Sequence, residues 1–153
     1  MLQTFFTEEH EMLRRQVRAF VEKELAPHAD EWERAKEFPR WVFQKMGQLG
    51  FLGAAYPEEV GGGGGNWWHA VTVAEELHRS RSGGLGMGLL VQMDMATPVI
   101  NDLGTPEQKE EFLRPALRGD KIAALGVSEP GAGSDVASIR TTAAKDDGRV
   151  FEF

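Results

Sequence analysis

The residues best placed to do chemistry stand in one run, Gly126-Val127-Ser128-Glu129-Pro130-Gly131-Ala132-Gly133-Ser134-Asp135. Pro130 fixes φ at a turn, while Gly131 and Gly133 permit positive φ or a close backbone approach. Ser128 and Ser134 offer a hydroxyl on either side of that turn. Successive amides there can form a small nest for an anion such as a pyrophosphate. An ordinary Pro-Gly turn would use the same residues, so the pattern alone leaves both readings open. No Gly-Lys-Ser/Thr follows the glycines, which excludes a Walker A loop, and the spacing is not that of a dinucleotide fingerprint.

Other candidates carry less. His10, His28, His69 and His78 are scattered without zinc-motif spacing, so no metal site is expected. His28 beside Asp30 and Glu31 reads as a surface histidine. Glu75 and Glu76 could serve as an acid/base pair, and a solvent-facing helix explains them as well. Asp94 is the one charge in the apolar run Leu89 to Ile100. It is either a satisfied buried polar group or a catalytic acid. Trp67-Trp68 could stack on a ligand or pack in a core.

Composition narrows the classes. The chain has 153 residues, 41% hydrophobic and 27% charged, as a globular domain with a real core would. Lysine and arginine number 17 against 24 acidic residues, a formal charge of -7. With no basic patch, a nucleic-acid partner is not expected. The absence of cysteine removes disulfides, thiolate metal sites and a cysteine nucleophile. The start lacks a basic, then apolar, leader, and no run approaches 18 uncharged apolar residues. A cytoplasmic protein, or one of the mitochondrial matrix after processing, fits these features.

The elements that must hold the motif are mostly helical. Thr7 reads as an N-cap for a helix over 8–25, with Leu13, Val17, Phe20 and Leu25 on its inner face. Pro27 hinders continuation, and a short helix over 28–36 can follow. Pro39 opens a helix over 39–47 whose inner face is Val42, Phe43 and Met46. Gly61 to Gly65 reads as a flexible loop tip. Trp68, Val71, Ala74 and Leu77 form the stripe of a helix over 68–81. An apolar helix over 88–101 carries Pro98, and Thr105-Pro106-Glu107-Gln108 starts another over 106–118. Its inner side takes Phe112, Leu113, Ala116 and Leu117; Pro115 should bend it and Gly119 end it. Ile122 to Val127 then reads as a buried strand, Ala137 to Ala144 as β-prone, Asp146-Asp147-Gly148 as a hairpin turn and Val150 to Phe153 as the next strand. The fold class is therefore mainly α: an all-α domain over 1–120, then the first strands of an incomplete β domain over 121–153. Two strands and a stub do not make a stable sheet.

The ten-residue run closely resembles the first signature of acyl-CoA dehydrogenases. Ala55 to Gly62 resembles the family's loop after its third helix, and Glu75-Glu76-Leu77 its central helix. Leu103-Gly104-Thr105-Pro106-Glu107-Gln108-Lys109 resembles a further recurrent stretch, and Trp32-Glu33 is similar to long-chain members. The resemblance spans essentially the whole chain.

It implies an FAD-dependent enzyme that oxidises an acyl-CoA to its trans-2-enoyl form. A carboxylate takes the α proton, a β hydride goes to flavin N5, and electrons pass to an electron-transfer flavoprotein. It implies a helical domain, a middle β domain and a C-terminal four-helix bundle, in a homotetramer. Leu125, Gly126, Val127, Ser128, Gly133 and Ser134 match flavin-contacting positions. Ser128 matches the hydroxyl residue near flavin N5, and Val127 a backbone contact to the pyrimidine side. Gly133 and Ser134 match positions near the pyrophosphate, Ser134 also near the thioester ligand. No residue here matches the catalytic glutamate or the flavin-stacking tryptophan, which the resemblance puts after residue 153. The chain then is the N-terminal part of such an enzyme, inactive alone. The alternatives are a non-catalytic helical interaction fragment, or the same fold acting on a glutaryl, isovaleryl, aromatic acyl or nitroalkane-type substrate.

Overall fold

Apolar residues at spacings of three and four build the core, and each helix enters it by one face. A computed structural model describes residues 5–146 and 149–152. Helix α1 (Glu8–Phe20) runs on through wider, π-type turns over Val21–Leu25. It buries Val17, Phe20, Val21 and Leu25. After a 3-10 turn come α2 (Ala29–Ala35) and α3 (Trp41–Gln48), which buries Val42, Phe43 and Met46. Helix α4 (Trp67–Leu77) lies against α1. Helices α5 (Gly83–Leu90) and α6 (Thr97–Leu103) join without a break through wide turns over Val91–Ala96. Helices α7 (Pro106–Gln108) and α8 (Arg114–Leu117) join likewise through Lys109–Leu113. The main core gathers side chains from α1, α3, α4 and α5 with Phe51 and Leu52. A smaller cluster joins Tyr56 and Val60 to Leu113 and Leu117.

Both internal prolines follow wide turns. Pro98 and Pro115 lack the N–H that a regular helix needs. Looser turns over Val91–Ala96 and Lys109–Leu113 absorb the mismatch. Thr97 adds its hydroxyl to the Gln92 carbonyl at 2.5 Å. The Tyr56 hydroxyl donates to the Met93 carbonyl at 2.6 Å. Burial pushes that hydroxyl up to about 12, so it stays a donor.

Several expectations need correction. The buried face of α4 is His69, Ala70, Thr72, Val73, Glu76 and Leu77; of the predicted stripe Leu77 lies on it, while Trp68, Val71 and Ala74 are partly buried beside it. Asn66 caps this helix, which starts at Trp67 and ends at Leu77. Phe112 is 43% exposed, under the Lys121 ammonium at 4.9 Å. Gly61 to Gly65 is not a free tip. A Cβ on Gly62 would stand 2.2 Å from the Tyr56 carbonyl oxygen, and one on Gly65 2.4 Å from that of Ala54. The backbone N–H groups of Gly63, Gly64 and Gly65 donate to Gly53, Tyr56 and Ala54.

The largest correction is Ile122 to Val127, which is neither a strand nor buried. It is extended chain with Ile122, Leu125 and Val127 all two-fifths or more exposed. A strand needs a partner, and among the described residues none pairs with it. The segment 137–144 is strand only from Ala143. Strands β1 (Ala143–Asp146) and β2 (Arg149–Glu152) pair antiparallel with Asp146 opposite Arg149. That register agrees with a hairpin, while Asp147, Gly148 and Phe153 lie outside the described residues. No helix among the described residues is long and apolar enough to cross a membrane.

Candidate functional site

Residues 121–141 leave the end of α8 and are shaped by a few polar ties. The Asp120 and Lys121 N–H groups donate to the Pro115 carbonyl at 2.8 and 3.2 Å. Glu129 and Ala132 then exchange N–H to carbonyl bonds of 2.8 and 3.2 Å, closing a tight turn over Pro130-Gly131. The Glu129 carboxylate reaches across the loop. It accepts the N–H groups of Arg140 at 2.9 Å and Thr141 at 2.8 Å, and the Thr141 hydroxyl. These bonds, led by that hydroxyl, hold its pKa below the ordinary carboxylate value. Ser138 donates to Asp135 at 2.6 Å.

The face this turn presents is open. A Cβ on Gly126, Gly131 or Gly133 would meet nothing within 4 Å, and none of the three has positive φ. Neither internal crowding nor backbone strain therefore accounts for glycine there. Leu125 and Val127 lie exposed on the same run, as do Ser128 and Ser134. Among the described residues neither serine hydroxyl has a hydrogen-bond partner. Exposed apolar side chains beside free hydroxyls and a glycine turn suit a planar cofactor carrying a diphosphate. All six residues singled out in the sequence lie in this one segment.

The other acidic candidates resolve differently. Glu76 is 1% exposed and gripped by three guanidiniums. Arg18 donates twice at 2.8 Å, Arg14 at 3.2 Å, and Arg79 lies at 2.6 Å. The Arg18 bonds lead in holding its carboxyl at about 2. A permanently ionised, fully paired group makes a poor proton carrier and a good clamp between α1 and α4. Glu75 is exposed and pairs with Arg14 at 2.6 Å. Asp94 is half-buried, and burial raises its pKa. Among the described residues no side chain hydrogen-bonds to it, and it is partly exposed rather than the buried group expected. Trp67 is exposed, and Trp68 stacks on Phe5 at 4.9 Å between centroids.

Two features escaped the sequence reading. His10 and His69 come together with ring centroids 4.1 Å apart. Each accepts the N-cap N–H of its own helix through Nδ1 at 3.0 Å, from Thr7 and from Asn66. Thr7-x-x-His10 and Asn66-x-x-His69 have capping-box spacing with His in the Glu/Gln place, a signal that was there to find. Gln92 is the second. It is 1% exposed and bonds to Ala116 and Ala123, and no local pattern marks it.

Known proteins share this architecture. Residues 7–120 match the acyl-CoA dehydrogenase N-terminal domain. The 3-(aryl)acrylate reductase of Clostridium sporogenes is 42% identical over 93% of this chain. The crystal structure of an acyl-CoA dehydrogenase from Geobacillus kaustophilus superposes with TM-score 0.89 at 39% identity, covering 97% of this chain and 39% of that one. An acyl-CoA dehydrogenase from Bacillus anthracis, solved in complex with FAD, gives TM-score 0.80 at 30% identity over 94% of this chain and 24% of its own. The chain spans 37% of the length of the Clostridium relative. With fold, motif and helical domain in agreement, the chain belongs to the acyl-CoA dehydrogenase family.

Proposed function

We propose that this chain is the N-terminal part of an FAD-dependent acyl-CoA dehydrogenase, and that residues 125–134 form one wall of its flavin site. The open glycine face at Gly126, Gly131 and Gly133 supports this reading most directly, since none of the described residues fills it. Residues 1–120 are its helical domain and 121–153 the start of its β domain. Bound FAD supplies the hydride acceptor. Leu125 and Gly126 would lie against it, Val127 would meet its pyrimidine side through the backbone, and Ser128 would donate a hydrogen bond near N5. Gly133 leaves room for the pyrophosphate. Ser134 offers its hydroxyl to that group or to the thioester substrate. Electrons leave to an electron-transfer flavoprotein, in a homotetrameric, cytoplasmic or matrix enzyme.

No carboxylate in this chain is assigned as the catalytic base. Glu76 is locked by arginines, and Glu129 is spent on the loop. The chain alone should therefore show no turnover with acyl-CoA, FAD and an artificial electron acceptor. Turnover above a heat-killed control would refute that. In the protein carried to its relatives' length, Ser128→Ala should lower the flavin midpoint potential, because a charge-assisted donor worth roughly 1.5–3 kcal/mol is gone. An unchanged potential with FAD fully bound would leave Ser128 a mere turn residue.

A second reading changes the direction. The Clostridium relative is named a reductase of 3-aryl acrylates. The same hydride path run backwards would saturate an aryl-substituted double bond. Anaerobic mixing of the reduced enzyme with an aryl acrylate or its CoA ester, beside the oxidised enzyme with saturated acyl-CoA, separates the two.

A further inference from the structure

An imidazole closes a capping box only while the ring nitrogen facing the N-cap keeps its lone pair. Two such rings meet at the starts of α1 and α4. His10 Nδ1 accepts the Thr7 N–H and His69 Nδ1 the Asn66 N–H, each at 3.0 Å. Those bonds place the proton of each neutral ring on Nε2. From there His10 donates to Asn66 Oδ1 at 3.1 Å, and the same oxygen accepts the Trp68 N–H at 2.9 Å. One asparagine thus caps α4 and receives α1. Both rings are buried, with centroids 4.1 Å apart. A Cβ on Gly65 would stand 2.6 Å from His69 Cγ, so the glycine loop walls that ring in. Each of these bonds has both partners between Thr7 and His69, so a further domain can cover the unit without replacing any of them.

A proton on Nδ1 turns the same contacts against one another. A charged His10 can give its new N–H to the Thr7 hydroxyl, 2.8 Å away, and the Thr7 N–H then has no acceptor. A charged His69 aims its new N–H at Asn66 Oδ1, 3.2 Å away, which already accepts two. Each cation would also sit at the positive end of a helix dipole, beside a second ring. The surrounding charges do little to offset this. Glu9 Oε1 lies 3.6 Å from His69 Nε2, on a side chain 78% exposed to solvent. Arg14, one turn along α1, is held by Glu11, Glu75 and Glu76. Glu58 lies on the far side of the glycine loop, near Gly64. Imidazoles gain their proton as pH falls through about 6.5. The bonded form is the neutral one, so the junction is whole above that range and is lost as pH falls below it. Further along the same helix pair, Glu76 stays ionised among its arginines down to about 2.

We propose that the His10–Asn66–His69 junction is an acid-released latch: neutral rings hold the starts of α1 and α4 together, and protonation of either ring frees its helix start while the Glu76 end of the pair stays closed.

The test follows amide exchange in the full-length, FAD-loaded protein at about pH 7.5 and about pH 5, with rates corrected for the intrinsic effect of pH. In wild type, protection at Thr7 and Asn66 should fall about tenfold at the lower pH, the effect of one lost buried hydrogen bond at each start. Protection at 14–18 and 73–77 should hold. His10→Gln combined with His69→Gln puts an acceptor that does not titrate at both capping positions, and should keep Thr7 and Asn66 protected at either pH. Should the double variant fail to fold, His69→Gln alone carries the test: Asn66 should then lose less protection in acid than it does in wild type. Unchanged protection of wild-type Thr7 and Asn66 between the two pH values overturns the proposal. An equal loss in wild type and in the glutamine variants overturns it as well, because the response then belongs to other groups. A parallel loss at 14–18 and 73–77 also overturns it, since the helix pair then opens as a whole. None of these outcomes bears on the flavin wall.

Discussion

Two glycine-rich stretches in this chain use the same residue for different ends. In Gly61 to Gly65 the missing side chains are answered from within: Gly62 and Gly65 lie against the Tyr56 and Ala54 carbonyls. At Gly126, Gly131 and Gly133 none of the described residues stands within 4 Å of where a Cβ would be. The first loop is glycine because the fold closes on it. The second is glycine although the fold leaves it room. Crowding thus accounts for the glycines of the first stretch and leaves those of the second without a reason among the described residues.

The sharpest way to break that contrast is to add a methyl to each. Gly62→Ala should destabilise by about 3 kcal/mol, since the Cβ must displace backbone. Urea unfolding checks it, and a loss under 1 kcal/mol would mean that the loop yields. Next comes the acidic contrast. Glu76→Gln should cost about 2 kcal/mol at neutral pH, after allowance for the solvent around the arginines. With its folded pKa near 2 against an ordinary 4.5, Glu76 contributes stability above about pH 4.5 that is lost as pH falls toward 2. Stability measured from pH 6 to 2.5 should fall less steeply in Glu76→Gln than in wild type, and parallel slopes would contradict the clamp. Tyr56→Phe should cost about 1 kcal/mol, the net worth of its bond to Met93. Thermal unfolding reads this, and no shift would show that the wide turn needs no support. Smallest is Gly131→Ala, within about 0.5 kcal/mol of wild type in the same experiment. The same substitution in the FAD-loaded full-length protein should weaken FAD binding. A stability loss like that of Gly62→Ala would erase the distinction between the two loops.

Much of this was legible in the residues. Helix positions followed from apolar spacing, and Thr105-Pro106-Glu107-Gln108 gave a start that the structure repeats, with Gln108 bonded back to Thr105. The motif at 126–135 could be singled out as a turn and named by resemblance. What could not be read were relations across the chain. Ile122 to Val127 has strand composition, yet strand formation depends on a partner, which no local pattern can supply. The glycine run was misjudged because crowding by Tyr56 and Ala54 is a tertiary fact. Gln92, 24 residues from Ala116 and 31 from Ala123, left no mark for the same reason. Glu129 was visible only as part of a motif; its ties to Arg140 and Thr141 emerge once the loop has closed.

The central claim is that a flavin belongs against residues 125–134. Amide exchange of the full-length protein with and without FAD tests it most directly. Bound FAD should slow exchange across Leu125 to Ser134 and leave the amides of Gly62 to Gly65 as they were. Equal exchange in the two states across 125–134, with FAD demonstrably bound, would contradict the account.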